Sequence, residues 1–173
     1  MIEFINLNSE KPYIHFQSLY EQAQKKDQKD IEAISVSSYD QVMGEVDGRY
    51  VNLKYIDNNE WIFFSNYQSS KANQFDSHSQ VSILIYWSSI NTQIRMKAKI
   101  FKTSAEFSNK HFHSRTKEKN ALAISSNQSQ VINSVDELEK NFNKTLETIC
   151  TFSLILSQIF KVTNNFIEPE FNA

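Results

Sequence analysis

The stretch Gln93-Ile-Arg-Met-Lys-Ala-Lys-Ile-Phe101 alternates without a break. Ile94, Met96, Ala98 and Ile100 fall on one face of an extended chain, and Gln93, Arg95, Lys97 and Lys99 on the other. A period of two is a half-buried strand, and such a strand needs antiparallel neighbours with the same inside–outside pattern. Upstream, residues 31–37, 42–46, 50–56 and 61–65 read as strands. Tyr39-Asp40, Asp47-Gly48 and Asp57-Asn58-Asn59 read as the turns between them. Residues 81–87 are apolar at odd and even positions alike, which predicts a central strand covered on both faces.

The flanks are helical. Residues 1–10 read as an extended lead-in. Pro12 suits a first helical turn, and Phe16, Leu19, Tyr20 and Ala23 make one face of a helix over about 12–26. Thr103-Ser-Ala-Glu106 and Ser134-Val-Asp-Glu137 fit capping boxes, the first with Thr103 as cap. A short helix is expected over 117–124. Val135, Leu138, Phe142, Leu146 and Ile149 form one stripe of another, read as helix packing. A last strand is expected over 151–162, followed by a patternless tail, 163–173. These elements predict a single α+β domain over residues 1–173: a mostly antiparallel barrel of six or seven strands with peripheral helices.

Composition narrows the chemistry. Eighteen Lys and Arg against 20 Asp and Glu give a net charge of −2. That leaves no excess of cations to replace phosphate counterions, so a general nucleic-acid binder is excluded. No apolar run approaches the roughly 20 residues of a membrane span, and a cytoplasmic location is expected. One cysteine, Cys150, leaves no internal disulfide and no cysteine-rich zinc site. His111 and His113, two apart, do not suit zinc spacing on a helix, so no metal is expected. With two glycines in 173 residues there is no glycine-rich phosphate loop, and any phosphate must be held by side chains and ordinary backbone.

Four places offer such groups. In Arg49-Tyr-Val-Asn-Leu-Lys54 the two cations have opposite strand parity, so only a bulge or bend brings both to one ligand. In Phe64-Ser-Asn-Tyr-Gln-Ser-Ser-Lys71 a strand ends in hydroxyls and runs into a lysine. A helix beginning near Ser69 would add free N–H groups for a phosphate. Gln93 opens the alternating strand, and Ser125-Ser-Asn-Gln-Ser129 is a polar loop between helices.

The order and spacing of these residues resemble the pyridoxamine 5′-phosphate oxidase family of FMN-binding split barrels. The resemblance runs from about Phe16 to Val162. It implies a homodimer with FMN at the subunit interface, and an FMN-dependent oxidoreductase acting on a small, anionic substrate. In the family's Arg-x-x-x-x-Lys strand, Arg49 stands on the FMN phosphate side and Lys54 near the ring and substrate, with Tyr50, Val51, Asn52 and Leu53 between them along the cofactor. Phe64-Ser65 matches an aromatic–hydroxyl pair. Ser70-Lys71 matches an Arg-Lys phosphate grip with serine in place of arginine. Gln93 matches the family's strand glutamine, and Gln128-Ser129 a pair supplied by the partner subunit. Around the substrate phosphate the family's Tyr, Arg and Ser correspond to His111, Arg115 and Lys119. The family's C-terminal Arg and His over the substrate ring have no counterpart, and Val162 stands where an aromatic flavin contact would be. Those departures keep an alternative open: a non-catalytic split-barrel dimer that binds flavin or another cofactor.

Overall fold

Seven strands and five helices follow one another in a computed structural model that describes residues 1–65, 69–125, 134–148 and 159–170. The strands are β1 (Glu3–Leu7), β2 (Ala33–Asp40), β3 (Glu45–Asn58), β4 (Glu60–Phe64), β5 (Gln80–Trp87), β6 (Thr92–Lys102) and β7 (Ile159–Glu170). The helices are α1 (Lys11–Lys25), α2 (Ser70–Ser77), α3 (Ala105–Ser114), α4 (Lys117–Ser125) and α5 (Val135–Thr148). The sheet order is β1-β3-β2-β5-β6-β7-β4, and β4 also pairs with β3, which closes a barrel of six antiparallel strands. Closure removes the edges that an open sheet would expose. The α+β barrel read from the alternating pattern is the fold.

The interior is apolar and close-packed. Val81, Ile83, Ile85 and Trp87 of β5 face Ile94, Met96, Ala98 and Ile100 of β6, all buried. Helix α1 plugs one end with the predicted face, Phe16, Leu19, Tyr20 and Ala23, joined by Tyr13. The Phe16 ring lies 4.4 Å from that of Trp61 and 5.4 Å from that of Trp87. The Tyr20 hydroxyl accepts from the Ile2 amide at 2.9 Å and the Trp87 indole donates to the Ile31 carbonyl at 3.1 Å, whereas the buried Trp61 Nε1 has no hydrogen-bond partner among the described residues.

Several expected boundaries move. The segment 42–46 is not a separate strand: Val42 is 87% exposed in a turn, Gly44 takes φ +71°, and β3 runs unbroken from Glu45. Asp47-Gly48 lies inside β3, where Gly48 pairs with Ser37. A Cβ there would meet the Ser37 hydroxyl at 3.4 Å, so the glycine serves close strand approach rather than a turn. The lead-in forms β1, parallel to β3, taking the side of β3 that β2 leaves after Asn52. Strand β5 is buried on one face only, because a barrel has one interior; Leu84 and Tyr86 point outward. The first helix after β6 is capped by Ser104, whose hydroxyl accepts from the Phe107 amide at 3.2 Å, one residue later than expected. The Ser134 cap is as predicted, accepting from Glu137 N at 3.1 Å. The supposed tail is β7, hydrogen-bonded to β6 and β4; residues 151–158 of the expected last strand, with Cys150, lie outside the described residues. No described helix is long and apolar enough to cross a membrane.

Candidate functional site

Strand β3 carries the site, and a bulge sets its geometry. Leu53 pairs with Phe63 and Tyr55 with Ile62, so Lys54 is an extra residue on β3. Before the bulge the odd residues Val51 and Leu53 are buried; after it the even residue Ile56 is. The bulge therefore brings Arg49 and Lys54 into the same phase, which a regular strand forbids. Among the described residues the pairing of β3 with β4 begins at Leu53. Val51 and Leu53 spend their side chains in the core, whereas Tyr50 and Asn52 point outward. Any contact of Val51 or Leu53 with a ligand is through backbone.

At the Arg49 end the groups converge. The Arg49 guanidinium donates to Ser38 Oγ at 2.6 Å, Gln74 Oε1 at 2.7 Å, Asp47 Oδ2 at 2.5 Å and the Val36 carbonyl at 3.3 Å, and lies over the Phe75 ring. The Ser38 hydroxyl also donates to Gln74 Oε1 at 2.6 Å. Strand β2, strand β3 and helix α2 are thus tied at one point. Burial of Asp47 is outweighed by the Arg49 hydrogen bond and charge, and the carboxyl sits below its usual value. Lys71, on the first turn of α2, is held below the usual lysine value by burial and then by the Arg49 charge; Asp47 opposes both. Two cations that feel one another are a poor arrangement for an empty site and a good one for a dianion.

Further polar groups follow at the end of β4 and the start of α2. The first turn of α2 has no side-chain cap; Ser70 sits exposed on it and Ser69, its N-cap residue, is buried. Ser65, just past β4, has a buried hydroxyl with no hydrogen-bond partner. A buried hydroxyl left unsatisfied costs stability unless a ligand completes it. Arg49, Lys71 and Ser65 are side chains of the kinds that bind phosphate.

A second cluster lies past the bulge. The His111 ring from α3 stacks on Phe64 with centroids 3.9 Å apart and planes 16° apart, and its Nδ1 lies 2.7 Å from the Tyr55 hydroxyl. Burial, then the charges of Arg115 and Lys54, push His111 down to about 4, so the imidazole is neutral at pH 7. Lys54 also meets Glu32 Oε1 at 3.5 Å. Arg115 donates to the Lys119 carbonyl at 3.2 Å; the Lys119 side chain is exposed. So Lys54, His111 and Arg115 come together, whereas Lys119 contributes its backbone.

The family follows from a wider comparison. The family described as pyridoxamine 5′-phosphate oxidase matches residues 21–148. The chain belongs to that family. It is 34% identical over 135 residues to pyridoxine/pyridoxamine 5′-phosphate oxidase 1 of Hydrogenovibrio crunogenus, covering 78% of this chain and 62% of that one. It is 32% identical over 133 residues to the corresponding oxidase of Leptospira interrogans, with 77% and 62% covered. The chain thus spans about three-fifths of the length of these curated relatives. Among solved structures, PhzG from Burkholderia lata superposes with a TM-score of 0.80 at 16% identity, covering 88% of this chain and 75% of that one. A pyridoxamine 5′-phosphate oxidase-related, FMN-binding protein from Nostoc punctiforme gives 0.69 at 12% identity, covering 90% and 82%. At such identities the likeness is of fold.

Other candidate residues are placed elsewhere. Gln93 is on the outer barrel face, paired across from Tyr86, and is not brought to Arg49 within one chain. Gln128 and Ser129 lie outside the described residues. Sequence reading missed Asp47, Ser38, Gln74 and Tyr55. Asp47 was hidden by its turn-like pairing with Gly48. Ser38, Gln74 and Tyr55 had no local signal, because their partners are 11, 25 and 56 residues away.

Proposed function

We propose that this family member is an FMN-dependent oxidoreductase acting on a small, anionic substrate, as a cytoplasmic homodimer with FMN at the subunit interface. The observation that carries the reading is the mutual approach of two cations, Arg49 and Lys71, the latter on the first turn of α2, a helix start without a side-chain cap bond. The buried Ser65 hydroxyl, which has no partner among the described residues, is a further candidate donor. These groups would hold the FMN phosphate, with Ser70 adding a surface hydroxyl. Tyr50, Val51, Asn52 and Leu53 would line the cofactor along β3, and Phe64 of β4 would contribute its ring. FMN, when bound, supplies the electron acceptor. The chain's own residues bind and orient. Lys54 and Arg115 draw the substrate anion, the neutral His111 ring offers a hydrogen bond, and Lys119 adds positive charge at the rim.

The outer face supports the dimer reading. Tyr50, Ser35 and Leu84 form one cross-strand row over β3, β2 and β5, and Tyr86 follows two residues along. Tyr50 is 79% exposed, Leu84 40% and Tyr86 55%. They border a hollow of about 390 Å³ with Lys29 and Asp30 at its rim. An apolar patch of this kind rimmed by charge is what a second copy covers. Gln93 shares this face, so in a dimer it would lie toward the other copy; the family resemblance assigns Gln128 and Ser129 to the partner's flavin.

The test is spectroscopic. Purified protein is expected to be yellow, or to quench the fluorescence of added FMN, and to bleach anaerobically with pyridoxamine 5′-phosphate or a related anion. No FMN uptake would remove the reading. A second reading, a flavin-binding dimer without turnover, is favoured by the departures from the family pattern: Ser70 in place of the phosphate-gripping arginine, and the buried Val162 of β7 in place of an aromatic flavin contact. FMN uptake without bleaching by any amine or reduced nicotinamide would select it.

A further inference from the structure

Tyr55 has no part in the flavin reading, yet it is the most constrained polar side chain beside the substrate end. It meets Phe64, Phe107 and His111 edge-on, with centroids 6.1, 6.0 and 5.5 Å away and interplanar angles of 86°, 89° and 80°. Its hydroxyl lies 2.7 Å from His111 Nδ1, and the His111 ring is laid flat on Phe64. The plane of the imidazole and one of its two nitrogens are therefore both fixed by neighbours from β3 and β4. Arg115, the residue that ends α3, is near enough for its charge to act on His111.

The roles of donor and acceptor in this contact depend on the tautomer of His111. A phenol keeps its proton at neutral pH, and burial and then Glu3 raise that of Tyr55 further. A neutral imidazole has one N–H and one lone pair, and the hydrogen bond made by one nitrogen sets which is which. A Tyr55 O–H donating into the Nδ1 lone pair leaves the ring proton on Nε2.

We propose that Tyr55 is the positioning residue for His111: it holds the ring uncharged with its proton on Nε2, so that His111 donates one hydrogen bond to an anionic oxygen of a substrate bound beside Arg115. This rests on the anionic-substrate reading above and gives it a specificity element. A phosphate ester is then recognised by one permanent cation and one directed neutral donor.

The tautomer is measured directly. In FMN-loaded, ¹⁵N-histidine-labelled protein at pH 7, His111 is expected to show a pyridine-type Nδ1 and a pyrrole-type Nε2. Tyr55→Phe, which keeps the ring contacts, is expected to mix the tautomers. It is also expected to weaken pyridoxal 5′-phosphate about tenfold, the ordinary worth of one hydrogen bond. Pyridoxal, without the phosphate, is expected to bind both proteins alike. His111→Gln, whose amide accepts at one end and donates at the other, is expected to keep the affinity for the phosphate ester that His111→Phe loses. A pyrrole-type Nδ1 in the wild type overturns the proposal even if no variant folds. So does a Tyr55→Phe protein with unchanged tautomer and unchanged affinity. FMN uptake is read in the same samples by absorbance; its absence strikes the flavin reading, while the tautomer measurement, which needs no flavin, still decides this one.

Discussion

Arg49 on β3 reaches Gln74 on α2 at 2.7 Å, and through that bond the helix bearing Lys71 is clamped to the barrel. The same guanidinium loads Lys71 with a like charge. The clamp holds together a pair that an incoming dianion would relieve, which is the physical content of the candidate site.

Lys71→Ala is expected to weaken FMN by about 1.5–3 kcal/mol, the range for a hydrogen bond to a charged group. The ammonium is the form that binds phosphate, and its value lies below the ordinary 10.5. Wild-type affinity should therefore fall as pH rises through that lowered value, and the gap between wild type and variant should narrow there. Fluorescence titration from pH 7 to 10 measures both; a gap that stays constant across the range would place the phosphate elsewhere.

Ser65→Ala separates stability from binding. Its hydroxyl is buried without a partner, so removing it should leave the FMN-free protein as stable or about 1 kcal/mol more so. The same change should weaken FMN, since the hydroxyl is the donor a phosphate would complete. Thermal unfolding with and without FMN reads the two effects. Destabilisation of the FMN-free protein would mean that Ser65 is already satisfied.

His111 couples stability to acid. Its folded value of about 4 lies below the ordinary 6.5, so between these the unfolded chain takes up the proton first. Stability should fall as pH is lowered from about 6.5 to about 4, by at most about 3 kcal/mol from this residue. Urea unfolding at pH 7 and 4.5 tests it, and His111→Phe should flatten the dependence. An equal acid loss in the variant would assign the effect to other groups.

The outer face can be broken without touching the cations. Tyr86→Glu together with Leu84→Asp places charge on the exposed row. Sedimentation should show a monomer, and FMN affinity should drop with dimer loss. A monomer that holds FMN as tightly as wild type would contradict a shared site.

Local chemistry determined the barrel. Period-two alternation in Ile94 to Ile100 and the turn residues between short strands write inside and outside directly into the sequence, and the closed antiparallel sheet satisfies that pattern. Arg49, Lys54 and Lys71 stand out in the sequence as cations on a strand and before a helix, whereas His111 and Arg115 are singled out only by the family resemblance. Tertiary structure decided what they do together. A one-residue bulge at Lys54 reverses the strand's phase and puts it in step with Arg49. The 163–170 stretch, with little pattern beyond Phe166 and Ile167, becomes part of β7 by pairing with β6. Tyr55 meets His111 across 56 residues. Pairing register and contacts between distant residues depend on how the whole sheet closes, and no window of sequence contains that information.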